Sequence, residues 1–146
     1  MLLAFSPCLF GQLNVVNLGA PEHVVAKAGT EVPVKVRVHV SPGYHLQSNT
    51  PSDEYLIALR LTWMPGALES PQVTFPKPQM EKYSFSEKPL SVFSGDFEIN
   101  TRFKVSASAA PGTVALTGKL RYQACNDRMC LAPKTIDVTQ PVEIVK

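Results

Sequence analysis

The stretch EVPVKVRVHV, Glu31 to Val40, alternates apolar and polar residues along its whole length. One face would carry Val32, Val34, Val36, Val38 and Val40, and the other Glu31, Lys35, Arg37 and His39. Because successive side chains of a strand point to opposite faces, the pattern predicts a half-buried β-strand with one wet face. Pro33 lies near its start, where the loss of one ladder donor is tolerated.

The same alternation recurs in DFEINTRFKV (96–105), TVALTGKLRYQA (113–124) and TIDVTQPVEIV (135–145). The predicted inward residues are Phe97, Ile99, Phe103 and Val105; Val114, Leu116, Leu120, Tyr122 and Ala124; and Ile136, Val138, Val142 and Ile144. The segment Tyr55–Trp63 is more continuously apolar, which predicts a central strand with Trp63 in the core. Shorter strands are predicted at Val15–Leu18, His23–Lys27 and Gln72–Phe75.

Turn signals separate these segments, among them KAGT, SPGYH, MPGALESP and AAPGT, and the 13 prolines break most windows long enough for a helix. About eight short strands at fairly regular spacing predict an all-β fold, an immunoglobulin-like antiparallel β-sandwich. No linker, repeat or low-complexity tract divides the chain, so residues 12–146 are predicted to form one domain.

Composition narrows the function. The chain has 146 residues, of which 45% are hydrophobic and 18% charged, which is typical of a globular domain. Its formal charge is only +2 and no run of Lys or Arg occurs, so nucleic acid is not an expected partner. No apolar stretch approaches the roughly 20 residues that span a bilayer. The sequence has no Gly-rich phosphate loop and no recognisable hydrolase triad. It predicts no cofactor.

Residues 1–11 are apolar and are predicted to be a signal segment with a clipped start, because the usual positive region is absent. The alternative is a first strand running into Leu13–Leu18. Export would place the domain in the periplasm or otherwise outside the cytoplasm. Removal of the segment would take Cys8 with it and leave Cys125 and Cys130 in an oxidising compartment, where disulfides persist.

These two cysteines flank four residues, NDRM, that are predicted to form a hairpin loop. Directly opposed residues of two antiparallel strands have Cα atoms about 4.5–5.5 Å apart, which a disulfide can bridge. A ring of about six residues would contribute only about 2 kcal/mol, against nearly 5 for a ring of about a hundred. A disulfide between distant strands would therefore stabilise the fold more than this one.

The alternation of the strand that precedes Cys125 gives a second observation. Core residues occupy even positions through Ala124, so Cys125 is predicted on the polar side of the strand or at the loop mouth. Arg121, Arg128 and Lys134 would favour a thiolate there, with Asp127 opposing. An accessible disulfide can be attacked by a thiolate. From the residues alone, thiol–disulfide exchange, a structural hairpin bridge and a metal site all remain open.

The stretch KLRYQACNDRMCLAPKTIDV resembles the amino-terminal periplasmic domain of the thiol:disulfide interchange protein DsbD. The matching features are Tyr122 and Gln123, then Cys125, Cys130 and Pro133. The resemblance extends more loosely over Val32 to Val145. It implies an immunoglobulin-like fold whose cysteine pair passes electrons to thioredoxin-fold periplasmic proteins, that is, part of a thiol–disulfide oxidoreductase.

The resemblance also implies roles for single residues. Cys130 would be the attacking sulfur and Cys125 the resolving one. A cap loop, placed in QMEKYSFSEK, would shield the disulfide with Tyr83 or Phe85.

The sequence also departs from the family pattern. The cysteines enclose one residue fewer than in the best-known members, and Ala132 stands where a second proline is common. Those members continue into a transmembrane and a thioredoxin domain, so this domain is expected to need a separate membrane electron donor.

Few other residues suggest chemistry. His45 is predicted to be a loop or strand-end residue, with a site role as the less favoured alternative. Tyr122 is in core phase and is predicted to pack, with its hydroxyl near the cysteine loop. A copper site would need an imidazole beside the cysteine; Met129 is available as an axial ligand, but the hairpin contains no histidine. No metal is therefore predicted.

Overall fold

The computed structural model describes residues 14–146, in which twelve strands and no helix occur. The strands are β1 (Val16–Leu18), β2 (Val24–Lys27), β3 (Glu31–Val40), β4 (His45–Gln47), β5 (Arg60–Trp63), β6 (Leu68–Thr74), β7 (Gln79–Glu81), β8 (Leu90–Phe93), β9 (Asp96–Val105), β10 (Gly112–Tyr122), β11 (Ala124–Cys125) and β12 (Lys134–Val145). None of the described residues forms a helix long and apolar enough to cross a membrane. The predicted signal segment, 1–11, lies outside the described residues.

The strands form three four-stranded sheets. Sheet A has the order β1-β3-β9-β6, sheet B the order β2-β12-β10-β5, and sheet C the order β11-β4-β8-β7. Neighbouring strands of the described chain are antiparallel except for β2 and β12, which pair in parallel. The predicted antiparallel arrangement therefore has one parallel pair at the edge of sheet B.

Sheets A and B face each other across one hydrophobic core. Trp63 of sheet B packs edge-on against Phe103 of sheet A, with ring centroids 5.4 Å apart. Its indole Nε1–H donates to Thr101 Oγ1 at 2.9 Å, so this buried donor is satisfied across the two sheets. The alternating strands β3, β9, β10 and β12 turn their predicted apolar faces inward. The all-β, immunoglobulin-like sandwich is confirmed.

The prediction of a central strand over Tyr55–Trp63 is wrong. Only the last four residues pair, as β5 at the edge of sheet B, and Tyr55 is 76% exposed. Hydrogen bonds outside any strand pairing hold the segment before β5 instead. The Ile57 N–H donates to the Gln123 side chain, and the Leu59 N–H donates to the Ser48 carbonyl. This backbone is satisfied without a ladder, so its apolar composition does not make it a strand.

Sheet C is a third sheet that the sequence did not predict. Opposed residues of paired strands share a face. Leu46 therefore shares the main-core face with Ala124 and Phe93, its partners on the two neighbouring strands. The opposite face, which we call the site face, carries His45, Gln47, Leu90, Val92 and Cys125. Leu90 and Val92 form a second, smaller hydrophobic cluster with Leu56, and Tyr83 packs against it.

Candidate functional site

A disulfide joins Cys125 and Cys130 at the end of β11, with the two Cα atoms 3.9 Å apart. Backbone bonds flank the pair: Asn126 N–H donates to the Met129 carbonyl at 2.9 Å, and Leu131 N–H donates to the Ala124 carbonyl at 2.8 Å. The cysteines are therefore a non-hydrogen-bonded antiparallel pair, the kind whose Cα atoms come closest. The predicted opposed pair is confirmed, at a shorter Cα separation than the predicted 4.5–5.5 Å.

The loop between the cysteines is closed by its first residue. Asn126 Oδ1 accepts from the backbone N–H groups of both Arg128 and Met129, each at 2.9 Å. This is an Asx turn, in which a short amide side chain replaces a backbone acceptor. The loop is thus ordered by the local sequence, and it holds the second cysteine against the first.

The prediction that Cys125 lies on the polar side or at the loop mouth is wrong, because the residue is fully buried, at 0% exposure. Strand β10 ends at Tyr122, and Ala124 and Cys125 pair with β4 of sheet C instead. Cys125 does point away from the main core, as its phase indicated. The site face to which it points is itself covered, so the side chain is not exposed to solvent.

Cys130, in contrast, is partly exposed and lines a cleft of about 280 Å³. The rest of the lining comprises Tyr55, Leu56, Phe85, Ser86, Leu90, Gln123, Arg128 and Met129. Met129 and Phe85 are 56% and 38% exposed, so apolar groups are presented to solvent beside this sulfur. The two cysteines of one bond therefore differ in accessibility.

Two polar residues of β4 lie on the site face with Cys125. Gln47 Nε2 is 3.4 Å from Cys125 Sγ, and the Gln47 backbone N–H donates to the Gln123 carbonyl at 3.0 Å. His45 is opposite Cys125 in the strand register. Burial lowers the pKa of His45 from 6.5 to about 4, so its imidazole is neutral at pH 7.

The predicted cap segment covers this part of the molecule. The Tyr83 ring stacks on His45, with centroids 4.0 Å apart, and on Phe85, with centroids 5.7 Å apart. Burial first, and the charge of Glu81 second, raise the pKa of Tyr83. Ser84 Oγ donates to the Asp127 carbonyl at 2.9 Å, which ties the segment to the cysteine loop. Of the two predicted cap residues, Tyr83 covers β4 and Phe85 lines the cleft at Cys130.

A family model for the N-terminal region of the thiol:disulfide interchange protein DsbD matches residues 16–141, which include both cysteines. The chain belongs to this family. No curated protein matches it.

Two solved structures from this group of proteins are similar to the chain. The N-terminal periplasmic domain of ScsB from Proteus mirabilis is 13% identical, with a TM-score of 0.56, over 86% of this chain and 43% of that one. The Neisseria meningitidis DsbD N-terminal domain in its reduced form is 18% identical, with a TM-score of 0.48, over 77% and 78%. The ScsB likeness shows a shared fold, and this chain spans less than half of that domain's length.

The tyrosine and glutamine of the DsbD-like motif have different surroundings here. Tyr122 is buried in the main core, and burial raises its pKa. Gln123 accepts from the Ile57 N–H at 2.9 Å, and its Nε2 donates to the Leu131 carbonyl at 3.4 Å. The Gln123 side chain thus ties the segment after the hairpin to the irregular segment before β5.

Gln47 lies beside the disulfide and was not singled out by the sequence, and His45, which is opposite Cys125, was considered for a site role only as the less favoured alternative. The available signal was their alternation about Leu46 after the PG turn, but three residues are too few to establish a period. Residues 14–146 contain no group of three or more His, Cys, Asp or Glu placed to hold a metal ion.

Proposed function

We propose that this domain is an exported thiol–disulfide exchange module, and so part of a thiol–disulfide oxidoreductase. Its Cys125–Cys130 pair takes electrons from a membrane donor and passes them to thioredoxin-fold proteins of the periplasm. Family membership supports the class of reaction, and the description of the ScsB domain as periplasmic supports the location. The observation that carries the proposal is the difference between a buried Cys125 and a Cys130 that lines an open cleft.

This difference supports one order of the chemical steps. An incoming thiolate attacks Cys130 Sγ, forms a mixed disulfide there, and displaces Cys125 as a thiolate that takes up a proton. A second donor thiol then attacks the donor's own sulfur in the mixed disulfide and releases Cys130 as a thiol. Two electrons and two protons reach the domain, and the donor becomes a disulfide. Transfer to the acceptor is the reverse, with Cys130 attacking and Cys125 resolving.

The cleft has the composition of a docking surface. Aromatic residues, Met and Arg are enriched at protein–protein interfaces, and Tyr55, Phe85, Met129 and Arg128 surround Cys130. Arg128 lines the same cleft as Cys130, and a guanidinium near a cysteine sulfur favours its thiolate form. Phe85 is the better candidate for the shielding residue, since it lines the cleft where Tyr83 does not.

One observation favours the alternative, a binding module whose hairpin disulfide is structural. Cys125 is fully buried, as inert structural cysteines usually are. The small ring argues against this alternative, because its closure contributes only about 2 kcal/mol to stability. Inert structural disulfides have reduction potentials below about −300 mV, so the potential separates the two functions.

The test uses the full chain in a Cys8→Ser background, so that only the hairpin cysteines react. In Cys125→Ser the attacking sulfur remains and the resolving one is gone, so mixed disulfides with periplasmic thioredoxin-fold proteins should accumulate. Cys130→Ser is the matched control and should trap little, since its remaining sulfur is buried. Absence of trapped complexes from both variants, together with a potential below about −300 mV, would overturn the proposal.

A further inference from the structure

Strand β4 places an amide against the buried sulfur. Gln47 is fully buried, at 0% exposure, and its Nε2 lies 3.4 Å from Cys125 Sγ. Its backbone N–H is bonded to the Gln123 carbonyl, which fixes the strand beside the hairpin. Within the described residues, no other side chain donates a hydrogen bond to this sulfur. The amide is therefore held in place on one side of the disulfide.

Stability does not explain a glutamine at this position. Gln47 Oε1 is also buried and has no partner among residues 14–146. An unsatisfied buried acceptor lowers stability, and leucine or methionine would fill a similar volume without that penalty. A buried polar group that lowers stability calls for another explanation, of which a redox role is one.

The chemistry of the disulfide supplies that explanation. When the bond breaks, Cys125 Sγ leaves as a thiolate before it takes up a proton, and this thiolate is desolvated because the residue is buried. Hydrogen bonds to ionised acceptors are about twice as strong as those between neutral groups. His45, on the same face, is neutral at pH 7 and supplies no positive charge there. The Gln47 N–H is thus the group positioned to respond to the charge on the sulfur.

We propose that Gln47 is a positioning residue that stabilises the Cys125 thiolate through its Nε2–H, and so makes the disulfide easier to reduce. The direction of the effect follows from the hydrogen bond, which is stronger to a thiolate than to a disulfide sulfur. A role for Gln47 in electron transfer rests on the exchange function proposed above. The effect of Gln47 on the reduction equilibrium of the Cys125–Cys130 bond does not depend on that function.

The first measurement is equilibration of the disulfide with glutathione, in which two glutathione thiols give two electrons and two protons and become one glutathione disulfide. In Gln47→Leu the equilibrium constant for reduction, measured at a pH above the pKa of the Cys125 thiol, should fall about tenfold, which equals about 30 mV for a two-electron couple. Gln47→Met, with its flexible side chain, is the second variant in case leucine does not fit.

The second measurement is the pKa of Cys125, from thiolate absorbance in a Cys8→Ser, Cys130→Ser background where it is the single thiol. A charge-assisted hydrogen bond favours ionisation of the thiol, so its loss disfavours ionisation. The acid dissociation constant should therefore fall at least about tenfold in both Gln47 variants. A stability loss alone would leave this constant unchanged.

Gln140 offers a matched control. It is also buried, but it lies on β12 of sheet B, where its Nε2 donates to the carbonyls of Glu22 and Pro141. Gln140→Leu should lower stability and leave both redox measurements unchanged. Parental values in both Gln47 variants, or an equal shift in Gln140→Leu, would overturn the inference. Because glutathione replaces the protein partner, failure to trap a thioredoxin-fold protein would leave this result intact.

Discussion

Cys125 and Cys130 are five positions apart and bonded to each other, yet they have different surroundings. Cys125 is buried beside β4, whereas Cys130 lies at the wall of a cleft. Attack on a disulfide needs an approach to one sulfur and a leaving thiolate at the other. In the proposed mechanism Cys130 is thus the sulfur that is attacked and Cys125 the sulfur that leaves. The residues around each sulfur influence how readily that step occurs.

His45 should make stability depend on pH. Its pKa is about 4 in the folded domain and 6.5 in an unfolded chain, so between these values only the unfolded chain binds the proton. The stability from its burial is complete above pH 6.5 and is lost as the pH falls towards 4, by at most about 1.4 kcal/mol per pH unit. His45→Phe keeps an aromatic stack on Tyr83 and should show a smaller loss of urea midpoint between pH 7 and 4.5. An unchanged loss in the variant would contradict this.

At the scale of elements, the cap segment and the cysteine loop act as one unit. Ser84 bonds to the Asp127 carbonyl, and Phe85 lines the cleft that leads to Cys130. Access to the attacked sulfur governs the rate of exchange. Phe85→Ala should therefore speed reduction of the disulfide by dithiothreitol severalfold, followed by a thiol-reactive dye after quenching. Met64→Ala removes another exposed apolar side chain away from the cleft, and it should leave the rate unchanged.

A rate unchanged in Phe85→Ala would show that this ring does not shield the sulfur. Tyr83→Ala would then be the next variant, although its interpretation differs. Tyr83 packs on His45 and on the small cluster of the site face. Its removal should also lower the free energy of unfolding, by about 2 kcal/mol for a half-buried aromatic residue. The shielding would be assigned to Tyr83 only if the reduction rate rose by more than the loss of stability can explain.

The sequence revealed the elements that have a period and missed those that do not. Strands β3, β9, β10 and β12 have 10 to 12 residues each and alternate throughout, which fixes both their type and their buried face. Strands β4 and β8 are buried on both faces over three and four residues, so HLQ and LSVF show no polar alternation with solvent. The lack of alternation in β4 and β8 also explains the wrong prediction for Cys125. Its predicted orientation away from the main core is correct, but the local sequence pattern did not reveal that the site face of sheet C is covered.

For the molecule as a whole, the site belongs to a different packing unit from the main scaffold. Sheets A and B share one large core, whereas the site face of sheet C has its own small cluster of Leu56, Leu90 and Val92. Most of the buried apolar area, and with it most of the stability, lies in the sandwich. The domain can therefore break and re-form the disulfide without disturbing the ladders that keep it folded.

Hydrogen exchange should show this division directly. Reduction removes a small ring worth about 2 kcal/mol and loosens the contact between β11 and β4, so local opening becomes easier there. Amide exchange should speed up on reduction in residues 79–93 and 123–131, and it should stay unchanged in β3, β9, β10 and β12. The Cys125→Ser, Cys130→Ser chain should match the reduced protein. Equally faster exchange throughout the sandwich would mean that the disulfide stabilises the whole fold, and the structural-bridge alternative would then be preferred.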